Sequence, residues 1–526
     1  MVTIPYALFL IIALFIFFVI YPSIQYFRDP KGLRKFPNMS WFSGVSHIPF
    51  IVLAHGGFRS KYLEELHKRY AVIRTGPNSL SYSDPRAIKD IYGHNTKCTK
   101  DGAYTATMGS HFHLADVVDK KDHARKRKVL SSAYALKNLE SWEHKVADKT
   151  ERLIAHLDKM CTAPLPKSQV IPDSKDLNVD YRAWTNFFTI DAIADIGLSE
   201  RLGFLDSGND ICTAQRMDGS IYEIGFRDAL YQNARKQSLL LWDYDWYPLL
   251  NKIADIIPFY RRMSEHSQNW DAVYLARAAK RLKRYQEGEK LDDFFQALME
   301  DKNGSPNNLE WGEIVAEVSI MMNAGSVTTA IAMANVLYQL LKNPSVMNKL
   351  RKEIDSVLDK YEVVAPYDKV KHLPYLRACL DESLRLFPPT SHGLTRLVPQ
   401  EGMAILDGYV SGGTSVSVSA YVAHRNENIF PQADKFIPER WLGEEGKALQ
   451  PYFLAFSAGA RGCIGRNISY LEQTVLLASV LHRYNFALPK PDWEMQRLET
   501  MNLILGEMPV KVWKRDVGGD DVWMDK

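Results

Sequence analysis

Apolar positions run almost unbroken from Ile4 to Tyr21, and the first charged side chain in the chain is Arg28. About 18 residues at about 1.5 Å rise nearly match a bilayer core of about 30 Å, so the stretch predicts one N-terminal transmembrane helix. A cleaved signal peptide fits less well. No basic residue precedes the stretch, and bulky Tyr21, Pro22, Gln25 and Tyr26 stand where a cleavage site needs small residues. Arg28, Lys31, Arg34 and Lys35 then follow on one side, which places the remaining chain in the cytoplasm. The expected organisation is an anchor over 1–22, a basic, proline-containing hinge over 23–50, and one large domain over 51–526.

A second uncharged stretch lies between Glu317 and Lys342. Asn323, Ser326, Thr328, Thr329, Asn335 and Gln339 are spread through it, which a lipid-facing helix rarely tolerates. The pattern predicts a long helix over Leu309–Lys342, buried at the centre of the soluble domain. Other periodic segments predict helices at Lys61–Tyr70, Arg86–Tyr92, Lys120–Ala133, Ser141–Met160, Tyr181–Leu198, Ser345–Lys360, Tyr375–Leu386 and Cys463–Tyr484. Strands are expected at Ala71–Thr75, Ser79–Ser83, Leu397–Tyr409 and Val416–Ser419. Residues 100–118 read as a loop, and 210–285 as helices rich in aromatics that pack a core or touch a membrane.

Composition narrows the class. With 46% hydrophobic and 24% charged residues in 526, the chain can bury a large core. A net charge of +3 gives no support to nucleic-acid binding. Cys98, Cys161, Cys212, Cys379 and Cys463 are odd in number and widely spaced, which suits a reducing compartment and neither a disulfide framework nor a zinc site.

The chemistry concentrates near the C-terminus, in Phe456-Ser-Ala-Gly459-Ala-Arg461-Gly-Cys463-Ile-Gly465. A cysteine in a glycine-rich loop just before a helix sits where helix amides favour thiolate over thiol. Gly459 and Gly465 permit close backbone approach to a bulky planar ligand. A cysteine thiolate is the axial heme ligand that promotes O–O cleavage. Upstream, Glu382-Ser-Leu-Arg385 places an acid and a base on one helix face, Phe436-Ile-Pro-Glu-Arg440-Trp441 follows, and His123 and Arg127 lie one turn apart in a basic run. The long helix carries Ala324-Gly325-Ser326-Val327-Thr328-Thr329.

In this order and spacing the segments resemble the signatures of the cytochrome P450 family, over essentially the whole chain. The resemblance implies a mainly α fold with small β-sheets, a triangular helical prism around a long central helix, behind a transmembrane helix. It implies heme b held through Cys463 as the iron's axial ligand, within a cofactor-binding set of Phe456, Arg461, Gly465, Arg127, His123 and Arg396. Glu382, Arg385 and Arg440 are implied to form a buried structural cluster, and Gly325, Ser326 and Thr328 to serve oxygen activation. Candidate pocket residues are Thr107, Met108, Phe112, Ala324, Val327 and Leu394, closed by 502–506. The chain departs from the pattern at Val327, where the family carries an acid. Proton delivery then falls to ordered water, Ser326, Thr328 or a substrate hydroxyl.

The style of the chain is that of fungal microsomal members. The resemblance implies electrons from NADPH through a separate NADPH–cytochrome P450 reductase, with cytochrome b5 as a further donor, steered by Lys121, Lys126, Lys128 and Arg466. It places the protein in the endoplasmic reticulum membrane, in contact with lipid, acting on a lipophilic small molecule of secondary metabolism. Three functions compete: monooxygenation, a heme-thiolate reaction without net oxygen insertion such as desaturation, ring expansion, coupling or isomerisation, and noncatalytic heme binding. Oxygen-dependent NADPH consumption separates the last from the first two.

Overall fold

The stretch without charge becomes one continuous helix, Trp311–Lys342, the central helix hereafter. A computed structural model of the chain describes residues 9, 12, 13, 15–131, 133–135, 140–166, 168–216 and 218–517. The central helix starts at a capping box in which the Glu310 and Glu313 carboxylates each accept from backbone N–H groups of the first turn. From Thr329 to Leu340 every residue is buried. It is the one helix among the described residues long and apolar enough to cross a membrane, and it lies inside protein. Its polar residues are met internally: Thr329 donates to Ser469 Oγ at 2.9 Å, and Asn335 accepts from Arg497 at 3.0 Å.

The helix Tyr181–Leu198 crosses the central helix closely because two glycines let it. A Cβ at Gly197 would stand 2.2 Å from Met321, and one at Gly325 would stand 2.6 Å from Ile193. The helices Glu143–Met160, Pro258–Gln286, Pro374–Leu386 and Arg466–Arg483 surround this pair and share one apolar core with it. A five-stranded sheet packs to one side, in the order Val72–Gly76, Ser79–Tyr82, Ser415–Val418, Arg396–Leu397, Thr99–Lys100. It has its own smaller core with the helix Ala87–Tyr92. The architecture is mainly helical with small sheets.

Three expectations need correction. Residues 100–118, read as a loop, contain the helix Gly102–Ala106, which Asp101 caps by accepting from the Ala103 N–H. Within 210–285, Ile211–Gln215 and Ile221–Gly225 form an antiparallel hairpin before the helices begin. Its first strand alternates exposed and buried residues, a period-2 signal that the neighbouring aromatic pattern masks. The expected strand Leu397–Tyr409 is instead three pieces: Arg396–Leu397, Met403–Ile405 and Gly408–Val410. Pro399 cannot donate to a ladder, and the chain turns at Gly402 (φ 74°) and Leu406 (φ 52°).

The expected anchor over 4–21 lies largely outside the described residues. Its described end runs through Ile16–Ile20 into the helix Tyr21–Arg28. The hinge is tied down beyond Pro30. Lys31 donates to Asn78 and to the Gly413 carbonyl, and Met39 and Arg74 exchange a backbone bond of 2.9 Å.

Candidate functional site

Cys463 sits where the glycine-rich loop delivers the chain to the helix Arg466–Arg483. Its N–H donates to the Phe456 carbonyl at 2.8 Å, closing the loop. Burial pushes its thiol up, while the Gly465 amide, the Arg127 charge and the Arg466 amide and charge pull it back toward thiolate. The residue is nonetheless accessible. Gly459 has φ 66°, and a Cβ there would stand 2.0 Å from the Tyr92 carbonyl, so no other residue fits the turn.

Beside the cysteine, four basic side chains, Lys100, Arg127, Arg396 and Arg461, gather around the neutral His123. Arg127 donates to the Gly462 carbonyl at 2.6 Å, and Arg461 to the Val117 and Val118 carbonyls at 2.5 and 2.8 Å. Lys100 donates to the Ala115 carbonyl at 2.7 Å, and Arg396 to the Tyr104 hydroxyl at 2.9 Å. Three members are depressed by the others. Burial, then the charges of Arg461 and Arg396, pushes Lys100 down to about 6. Burial, then Arg461, Lys100, Arg127 and Arg396, pushes His123 down to about 3. Arg461 falls to about 10, through burial and then Arg396. Clustered basic side chains next to an amide-supported sulfur have the donor chemistry that heme asks for: Cys463 would hold the iron, and the arginines would hold the propionates. Lys100 and Tyr104 were not singled out from sequence. Lys100 pairs with Arg396 across two-residue strands, a register that local pattern does not reveal.

The central helix divides its candidate residues among three directions. Ala324 is exposed and Thr328 half-buried, although the helix around them is largely covered. Thr328 donates to the Ala324 carbonyl at 3.0 Å. Ser326 points the other way: its hydroxyl donates to the Met322 carbonyl at 2.7 Å, and its carbonyl accepts from Thr189 at 2.6 Å. Gly325 faces Ile193, so close helix packing accounts for it without a local opening. Val327 is 3% exposed within the main core and lines no open face. Thr107, Phe112 and Leu394 are half-buried, and Met108 is exposed. The segment after Pro389 meets the C-terminal hairpin as expected, with Leu503 N–H donating to Pro389 at 2.7 Å and Thr390 to Asn502 at 3.2 Å. A separate small cavity of about 40 Å³, lined by residues including His47, Arg59, Trp242 and His392, lies among other residues than these.

Glu382, Arg385 and Arg440 come together with every guanidinium answered. Arg385 binds Glu382 through two bonds of 2.8 and 2.9 Å, and Arg440 donates to the same carboxylate at 3.1 Å. Trp441 Nε1 donates to Glu382 at 2.8 Å and the Ile437 N–H at 3.0 Å. His424 links this cluster to the cysteine loop. Its Nε2 accepts from Leu454 N–H at 2.8 Å, so Nδ1 carries the proton and donates to the Arg385 carbonyl at 3.0 Å. Burial, then the Arg385 charge, pushes His424 down to about 3 and keeps it neutral for that task.

Of the basic residues expected at a docking face, Lys121, Lys128 and Arg466 are exposed. Lys126 is not: it is 4% exposed and donates to Glu313 at 2.9 Å, so it is no surface charge.

The family model described as Cytochrome P450 matches residues 44–512. Among curated relatives, a cytochrome P450 monooxygenase, cicH, of Emericella nidulans is 30% identical over 90% of this chain and 92% of its own. A cytochrome P450 monooxygenase, efuB, of Hormonema carpetanum is 29% identical, covering 90% and 88%. A benzoate 4-monooxygenase, bphA, of Aspergillus niger is 27% identical over 92% of each chain. A crystal structure of a cytochrome P450 superposes with a TM-score of 0.70 at 19% identity, over 91% of this chain and 99% of that one.

Proposed function

The chain belongs to the cytochrome P450 family and is a monooxygenase, and from that premise we propose that it oxidises a lipophilic small molecule of fungal secondary metabolism while anchored to the endoplasmic reticulum membrane. The observation that carries the reading is that Arg127 faces Cys463 and, with Lys100, Arg396 and Arg461, gathers around His123. Heme bound through Cys463 supplies reductive activation of O2, with electrons from NADPH by way of a separate reductase.

The protein's own groups do the rest. The Gly465 and Arg466 amides hold negative charge on the sulfur. Arg127, Arg396 and Arg461 would hold the propionates, with His123 as a neutral donor beside them. The Thr328 hydroxyl, on the open face of the central helix, positions water for proton transfer. Ala324 leaves room for the substrate on that face, and Thr107, Phe112, Leu394 and the segment 502–506, which holds the strand Leu503–Leu505, surround it. Lys121, Lys128 and Arg466 steer an acidic electron donor to the cysteine side.

Membrane anchoring is supported by the N-terminal apolar run and by a second apolar surface. Leu249, Ile253, Ile256, Ile257 and Phe259 are all exposed, Ile256 at 78%. Phe17 and Phe18 meet Trp246 with ring centroids 5.3 and 5.5 Å apart, which joins the two surfaces. The test is a comparison of host metabolites with and without the gene, using ¹⁸O2. A lost product that carries one ¹⁸O relative to an accumulating precursor is expected. A precursor and product that are isomers, or differ only by two hydrogens, would overturn oxygen insertion.

A further inference from the structure

The residue before Thr328 is Val327, and it packs in the core. Restoring an acid there would bury an unpaired carboxylate, a cost of several kcal/mol or more. A carboxyl does exist on the face that matters. Glu317, Met321, Ala324 and Thr328 recur at i, i+4, i+7 and i+11, which is one face of the central helix. Glu317 is 5% exposed. The Leu114 N–H donates to its carboxyl, but Glu317 Oε1 has no hydrogen-bond partner. Lys126 Nζ lies 3.6 Å from that oxygen.

The same lysine opens a way to solvent. Lys126 Nζ donates to Glu313 at 2.9 Å, and Glu313 also binds Arg125, whose side chain is 46% exposed. Asp116, on the loop packed against this end of the helix, adds a second buried carboxyl. Its Oδ1 accepts from the His113 N–H at 2.8 Å, and its Oδ2 lies 3.3 Å from the His113 ring. Lys100 and Tyr134 complete the surroundings. Burial raises Glu317 to about 7 against the pull of Lys126, with Asp116 adding to the rise, and burial raises Asp116 to about 7 against Lys100 and Lys126. Both carboxyls therefore exchange protons near neutral pH, as a donor in steady use must.

We propose that Glu317 supplies protons to the open face of the central helix, in place of the acid missing at Val327. The inference rests on the monooxygenase reading. Glu317 Oε1–H gives its proton to a water on that face, and the carboxylate regains one from solvent by way of the Lys126 ammonium; no electron moves. At about 1.5 Å per residue, Glu317 stands about 10 Å from Ala324 and about 16 Å from Thr328 along the axis, so water carries the proton between them.

The test needs no substrate. With heme, reductase and NADPH, O2 leaves either as hydrogen peroxide (O2 + NADPH + H⁺ → H2O2 + NADP⁺) or as water (O2 + 2 NADPH + 2 H⁺ → 2 H2O + 2 NADP⁺), and only the second requires O–O cleavage. Glu317→Gln keeps shape and removes the proton. It is expected to raise the peroxide-to-water ratio on the order of ten-fold and to enlarge the solvent deuterium isotope effect on water formation. Glu317→Asp, with a shorter carboxyl, is expected to fall between Gln and wild type, which a purely structural role would not produce. Infrared difference spectra give a readout free of turnover. A protonated-carboxyl band that shifts in D2O is expected near neutral pH in the wild type and reduced in Glu317→Gln. An unchanged ratio and isotope effect in Glu317→Gln would overturn the inference. If that variant does not take up heme, an unchanged ratio in Glu317→Asp does so. Failure of the wild type to consume O2 with NADPH and reductase would instead sink the monooxygenase reading.

Discussion

Two groups of buried and half-buried arginines flank the cysteine loop, and they are built on opposite principles. In the Glu382 cluster, one carboxylate answers Arg385, Arg440, the Trp441 indole and the Ile437 amide. In the cation wall, Lys100, Arg127, Arg396 and Arg461 bond to carbonyls and to a tyrosine hydroxyl, and Arg396 and Arg461 depress Lys100 while Arg396 depresses Arg461. The first arrangement is electrostatically closed and braces the fold. The second is open toward an anion, and its cost to the protein is balanced by a ligand. Burial alone does not distinguish structure from function here; the sign of the neighbours does.

The largest expected effect comes from breaking the closed cluster. Glu382→Ala leaves two buried guanidiniums without a carboxylate and should cost about 3–5 kcal/mol, seen as loss of soluble protein or a much lower melting temperature. Gly459→Ala comes next, since it collides with the Tyr92 carbonyl at a strained φ. A loss of about 1–3 kcal/mol in thermal melts is expected. Arg461→Ala strikes the open wall. It should speed heme transfer to an acceptor protein about ten-fold, about 1.4 kcal/mol, with a smaller change in melting than Glu382→Ala. Equal melting losses for Glu382→Ala and Arg461→Ala would erase the distinction.

A pH series sharpens the electrostatics. Glu317 and Asp116 are raised to about 7, above their ordinary values near 4. The folded state therefore binds more protons than the unfolded one between about pH 4 and pH 7. Stability from these groups is present below that window and lost as pH rises through about 7. The double variant Glu317→Gln, Asp116→Asn should flatten this fall, so that its stability relative to wild type grows from pH 5 to pH 8 in denaturant titrations. A constant difference across that range would contradict the burial argument.

The sequence was legible where chemistry is local. The cysteine loop, the Glu382–Arg385 pair and the central helix could be read because each is a short motif or a long periodic segment. What depends on pairing across the chain was not legible. Lys100 joins Arg396 only through a sheet register, and Glu317 gains its setting from a loop about 200 residues away. Direction around a helix was half-legible. Thr328 and Ala324 share a face by spacing, but that Ser326 faces Thr189, Gly325 faces Ile193 and Val327 faces the core is decided by which neighbour packs where. Lys126 reads as a surface charge in a basic run and is buried against Glu313.

The most direct measurement is the absorption spectrum of the reduced, carbon-monoxide-treated full chain, for wild type and Cys463→Ser. The account predicts the strongly red-shifted Soret band of a thiolate-ligated heme in the wild type and its loss in Cys463→Ser. The same red-shifted band in both proteins would show that Cys463 is not the ligand and would contradict the account.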